Sequence, residues 1–331
     1  MGEFLEKRRG ESRCRIDGLR GSLATAEEFI GTKGCVYLTG SFAREEASAY
    51  SDLDLFIVGG SDEDDGKEAR RLRRLDEICI KAELIKAIHL AGIPDFSGDG
   101  EYLVHYTTRE LVKHLGQPHD DSSNTFTARL LLLLESKPLL GRATYDEAIN
   151  DVVASYWRDY QDHPTDFVPA FLVNDILRLW RTFCVNYEAR TSTQPKEKKA
   201  KRKLKNFKLK HSRLLTCYSA LAYLLHVHTV RRTVTPGDVV ELVRMTPTER
   251  IERLAQERES AKGHVDKIIE AYEAFLKQTD SNESDLVERF RDKRASRQLF
   301  EQANELGNLM YDLLRSIDEQ GDSPLYRLLL V

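Results

Sequence analysis

The chain has 331 residues, of which 41% are hydrophobic and 31% charged. That length exceeds one ordinary core and suits two domains, and the net charge of −4 excludes a global electrostatic pull toward nucleic acid or anionic membrane. Five scattered cysteines, Cys14, Cys35, Cys79, Cys184 and Cys217, exclude a disulfide framework and a CxxC metal site, and fit reduced thiols in a cytoplasmic protein.

The N-terminal stretch is charged and lacks the apolar core of a signal peptide. Residues 18–30 carry a helical pattern through Leu19, Leu23, Ala26, Phe29 and Ile30. Cys35 to Thr39 reads as a buried strand, closed by Gly40-Ser41. A brief helix is expected over 43–49, then a second buried strand over 53–58 ending at Gly59-Gly60. An acidic surface loop follows over 61–66. Residues 67–91 predict a long helix with Leu72, Leu75, Ile78, Ala82, Ile85 and Ile88 on its apolar face. Tyr102 to Tyr106 is a third strand.

From about residue 122 strand signals vanish. Helices are expected over 124–136, 144–161, 167–190, 200–228, 247–259, 262–277 and 284–318, with breaks at 191–199 and 229–237. The longest apolar run, Leu130 to Leu134, is too short to cross a bilayer. The expected class is α+β: a small α/β domain over 1–120, then an all-helical domain over 121–331.

The chemistry gathers in L-T-G40-S41-F-A-R-E-E-A-S-A-Y-S-D52-L-D54-L-F-I-V. Residues two apart on a strand share a face, so Asp52 and Asp54 project together from the start of an apolar strand. Two close carboxylates resist ionising together, and a divalent cation with hard-oxygen preference resolves the conflict. A glycine after a strand admits close backbone approach. The start of a helix offers N–H groups to an anion, and the Ser41 hydroxyl adds a phosphate contact.

Gly-Ser followed by D-x-D after ten intervening residues, each joined to an apolar strand, resembles the DNA polymerase β superfamily of nucleotidyltransferases. The resemblance covers residues 34–60 closely and extends more loosely to about 110. It implies a mixed sheet, two Mg²⁺ ions (Mn²⁺ as substitute) bound by Asp52 and Asp54, and β/γ phosphates held by Gly40 and Ser41. It implies transfer of an NMP from an NTP to a hydroxyl or similar acceptor, with pyrophosphate leaving. A third catalytic, metal-binding carboxylate belongs on the next core strand. Glu101, which abuts the strand, is favoured over Asp99, and a Glu there departs from the Asp that many members use.

The helical half is expected to complete the nucleotide and acceptor cleft. Asn174, Arg178 and Arg181 share a helix face, where a nucleotide contact and an inter-helix polar network are both open readings. Residues 196–213 hold ten Lys or Arg against one acid, Glu197, a local +9. Lys205, Lys208 and Lys210 are the candidates for NTP phosphate, and the stripe suits an anionic acceptor such as RNA or tRNA. Protein and small-molecule acceptors remain open alternatives, as does a second nucleotide. No membrane partner is expected, and the histidines show no zinc spacing. The competing function is a nucleotide-binding regulatory module without turnover, antitoxin-like or partner-binding.

Overall fold

The two apolar runs expected as strands form the centre of a sheet. In the computed structural model, which describes residues 2–64, 67–96, 100, 103–192, 198–319 and 321–329, β1 (Gly34–Thr39) and β2 (Asp54–Gly59) pair antiparallel. Thr39 faces Asp54 at one end and Gly34 faces Gly59 at the other. A hairpin of β3 (Ser61–Asp64) and β4 (Lys67–Arg70) follows, where an acidic loop and the start of a helix were expected. β5 (His105–Thr107) runs parallel to β2, and β6 (Lys137–Leu140) antiparallel to β1. The sheet order is β5-β2-β1-β6, so the sheet is mixed. β6 was not foreseen, because four residues reading Lys-Pro-Leu-Leu carry too little pattern to mark a strand.

Alternation divides the sheet into two faces. Val36, Leu38, Leu55 and Ile57 enter a core with Ile30, Ile80, Leu84 and Ile88 from the helices Ala24–Ile30 and Arg74–Leu90. The other face carries Tyr37, Phe56 and Tyr106, with ring centroids 5.4 and 6.1 Å apart in succession. Tyr37 donates from its hydroxyl to the carbonyl of Ala128 at 3.0 Å, which ties this face to the helix Thr125–Leu134.

The expected apolar face of the long helix is corrected. Ile80, Leu84, Ala87 and Ile88 face inward, whereas Leu75, Ile78 and Ile85 are exposed. This helix has two apolar stripes, so periodicity alone does not select between them. An unforeseen helix, Glu3–Ser22, precedes the family-like region. Its many arginines hide the sparse inward residues Leu5 and Ile16, while Leu19, expected in a helix over 18–30, belongs to its last turn and a separate helix starts at Ala24. The brief helix near 43–49 forms earlier, over Gly40–Ala43.

Two compact units divide the chain: Lys7–Arg158, and Met1–Glu6 with Asp159–Val331. The division falls beyond the expected residue 120 because β6 joins the sheet and the helix Arg142–Tyr156 packs on β1.

The described part of the other unit, outside residues 1, 193–197, 320 and 330–331, is built of helices. Leu214–Arg231 is buried almost without interruption from Leu215 to His228, as an apolar helix surrounded by others must be. The expected helix over 200–228 is one continuous rod with a π-helical turn at Leu209–Arg213. The expected break at 229–237 contains the start of another helix, Pro236–Arg244. Thr235 caps it by accepting from Asp238 N, and Pro236 takes the first-turn position that needs no N–H donor. The single helix expected over 284–318 is two, Glu283–Arg291 and Lys293–Ile317, because Asp292 accepts from Ala295 N at 2.7 Å and starts a new one.

Candidate active site

Gly40 lies where β1 ends, and two constraints select glycine there. Its φ is +67°, in the left-handed region. A Cβ on it would stand 2.5 Å from Asp54 Oδ2 and 3.4 Å from Asp54 Cβ. The Gly-Ser turn and the second Asp of the D-x-D pair are therefore in direct contact across the β1–β2 ends. Asp54 is half-buried as the first residue of β2. Asp52 is exposed and stands two residues before that strand begins. Ser41 is half-buried on the turn itself.

The linking segment is tied down throughout. Arg44, Glu45 and Glu46 are buried although charged. Arg44 donates from Nε to Glu46 Oε2 and from Nη1 to Glu135 Oε2, both at 2.9 Å. Glu135 Oε1 in turn accepts from Gly40 N at 3.1 Å. The Gly40 amide is thus engaged by a side chain rather than turned toward a phosphate. Glu45 adopts a φ of 59°, which is strained for a residue with a side chain. It is held by Arg13 Nε at 2.8 Å and Lys137 Nζ at 2.7 Å. Burial pushes the Glu45 carboxyl up, but the bonds from Arg13 and Lys137 outweigh this and hold it below the ordinary value. Ser12 Oγ accepts from Ala47 N at 2.9 Å, Arg15 donates to Ser48 O at 2.5 Å, and the Arg15 guanidinium stacks 4.6 Å over Phe42. The helix Glu3–Ser22 thereby sets the path of the chain into Asp52.

Sequence reasoning missed Arg44, Glu46 and Glu135. A lone acid directly after the five-residue leucine run 130–134 was the available signal for Glu135. Glu101 and Asp99, the third-carboxylate candidates, lie outside the described residues. Among the described residues, no group of three or more His, Cys, Asp or Glu side chains is placed to hold a metal. Asp52 and Asp54 offer the hard carboxylate oxygens that suit Mg²⁺, a fit of donor chemistry.

The helical unit contains the remaining expected contacts. On Ala170–Ser192, Arg181 is exposed, while Arg178 lies 3.7 Å from the buried Asp175. On Lys199–Lys208, Ala200, Leu204 and Phe207 face inward, and Lys205 and Lys208 are exposed. Lys210 is engaged within its unit, donating to Asn304 Oδ1 at 2.9 Å and lying 6.0 Å from the Phe300 ring.

A mixed sheet brings a Gly-Ser turn at the end of one central strand onto an Asp of a D-x-D pair at the start of the other. In agreement, residues 20–96 match the family model described as "Nucleotidyltransferase domain". The chain carries a nucleotidyltransferase domain consistent with the polymerase β superfamily. No curated protein and no solved structure matches the chain.

Proposed function

We propose that the chain is a metal-dependent nucleotidyltransferase that moves an NMP from an NTP to a hydroxyl acceptor and releases pyrophosphate. The packing of Gly40 against Asp54 supports this reading most strongly. It sets the Gly-Ser turn against one carboxylate of the D-x-D pair at one sheet end.

In this reading Asp52 and Asp54 hold Mg²⁺, with Glu101 as the proposed third carboxylate. When bound, the metal lowers the pKa of the acceptor hydroxyl and offsets charge on the departing pyrophosphate. The Ser41 hydroxyl contacts the β/γ phosphates. Gly40 contributes by lacking a Cβ, which leaves the turn and Asp54 in contact. In the helical unit, Arg181, Lys205 and Lys208 are exposed and are the proposed anion contacts, ahead of the less exposed Arg178 and Lys210. RNA, tRNA included, is the favoured acceptor class, on the local charge of residues 196–213.

The test is incubation with each labelled NTP and Mg²⁺, with and without bulk tRNA, beside the Asp52→Ala/Asp54→Ala double variant. Wild-type protein is expected to transfer label, and the folded double variant to transfer none. Equal transfer by both would defeat the site assignment. NTP retention without pyrophosphate release by wild type would point instead to a regulatory nucleotide-binding module.

A further inference from the structure

Glu135 is a carboxylate in an expensive place. It closes the helix Thr125–Leu134 with its side chain fully buried. Burying a carboxylate is costly unless it is paired and hydrogen-bonded, and an apolar residue often packs at such a position more favourably. Here Oε2 accepts from Arg44 Nη1 at 2.9 Å, and Oε1 accepts from the Gly40 amide at 3.1 Å. Arg44 is itself fixed on its other side by Glu46 at 2.9 Å. The chain Glu46–Arg44–Glu135 therefore terminates on the backbone amide of Gly40, the residue whose Cβ position meets Asp54.

We infer that Glu135, held in place by Arg44, is a positioning residue for nucleotidyl transfer, an inference that rests on the function proposed above. Gly40 has a left-handed φ and no side chain, so it can leave this conformation readily unless something holds it. Asp54 packs on the Cα side of Gly40, and Glu135 grips its N–H. Glu135 is fully buried and bonds to Gly40 and Arg44. It acts through Gly40, fixing where Asp54 Oδ2 and the Ser41 hydroxyl stand. A small misplacement of such groups lowers the rate of the chemical step more than it weakens substrate binding.

The experiment compares full-length wild type, Glu135→Gln and Glu135→Leu, using the NTP and acceptor that wild type uses best. Transfer kinetics are measured alongside amide hydrogen exchange. Glu135→Leu is expected to lower kcat by about 100-fold with little change in KM. It should also speed exchange over residues 38–44 while 54–59 and 125–134 keep their protection. Glu135→Gln keeps an oxygen that accepts from Gly40 but loses the acceptor for Arg44, and is expected to retain more of kcat and of the protection at 38–44 than Glu135→Leu. Wild-type exchange and kcat in both variants would overturn the inference. So would a loss of protection across residues 7–158 in Glu135→Gln, which would mean that the carboxylate only supports the fold. If wild type transfers no nucleotide, the functional reading fails, and exchange at 38–44 still decides whether Glu135 holds the turn.

Discussion

At Gly40 two separate costs would fall on any side chain. The left-handed backbone costs a non-glycine residue about 1–3 kcal/mol, and the added carbon would press on the Asp54 carboxylate. Gly40→Ala is therefore expected to lower stability by about 1–3 kcal/mol and to abolish transfer, because relief of the contact displaces Asp54. Urea unfolding and the labelled-NTP assay check the two halves of this prediction separately. A second residue-scale prediction concerns His211, in the π-helical turn. Its ring stacks on Phe275 at 4.3 Å and its Nδ1–H donates to Phe207 O at 2.8 Å. Burial pushes its imidazole down to about 4, with Lys210 adding to the effect and the bond to Phe207 opposing it. Between pH 6.5 and 4 the unfolded chain takes up a proton there that the folded one does not. This contribution to stability is complete above pH 6.5 and is lost as pH falls toward 4, by up to roughly 3 kcal/mol. Urea titrations at pH 5 and 7.5 should show a smaller pH difference in His211→Phe than in wild type.

Elements show where pattern and packing part company. On Arg74–Leu90 the inward and outward stripes are both apolar, but only one meets the sheet core. Leu84→Ala is expected to cost about 2–5 kcal/mol, whereas Ile78→Ala, at an exposed position, should stay within about 0.5 kcal/mol. Thermal or urea unfolding of the two variants decides whether the stripes are assigned correctly. The helix Glu3–Ser22 illustrates a different limit. Its polar side has a function inside the fold, because Ser12, Arg13 and Arg15 bind the segment between the Gly-Ser turn and Asp52. A polar surface in the sequence and a polar clasp in the structure look alike until the partner segment is placed.

For the molecule as a whole, positive charge is concentrated locally and does not show in the net. A net −4 coexists with a local +9 over residues 196–213, so nucleic-acid affinity is expected to concentrate on that stretch. Replacing exposed Lys205 and Lys208 with Gln is expected to reduce the salt slope of RNA binding by about two if both contact phosphate. Filter binding of tRNA across a salt series measures it, and an unchanged slope would remove these lysines from the interface. Among the described residues, no helix is long and apolar enough to cross a membrane.

The sequence by itself determined the two central strands, the Gly-Ser and D-x-D pair, and the helical character of the second half. These are local signals: for the site, apolar runs, a turn residue and two acids within residues 35–58, and for the second half, helical periodicity. The strand β6, the inward stripe of Arg74–Leu90 and the grip of Glu135 on Gly40 were decided only by tertiary structure. Glu135 lies 95 positions from the amide it binds. No local pattern encodes that distance, because it is closed by a helix packing on the aromatic face of the sheet.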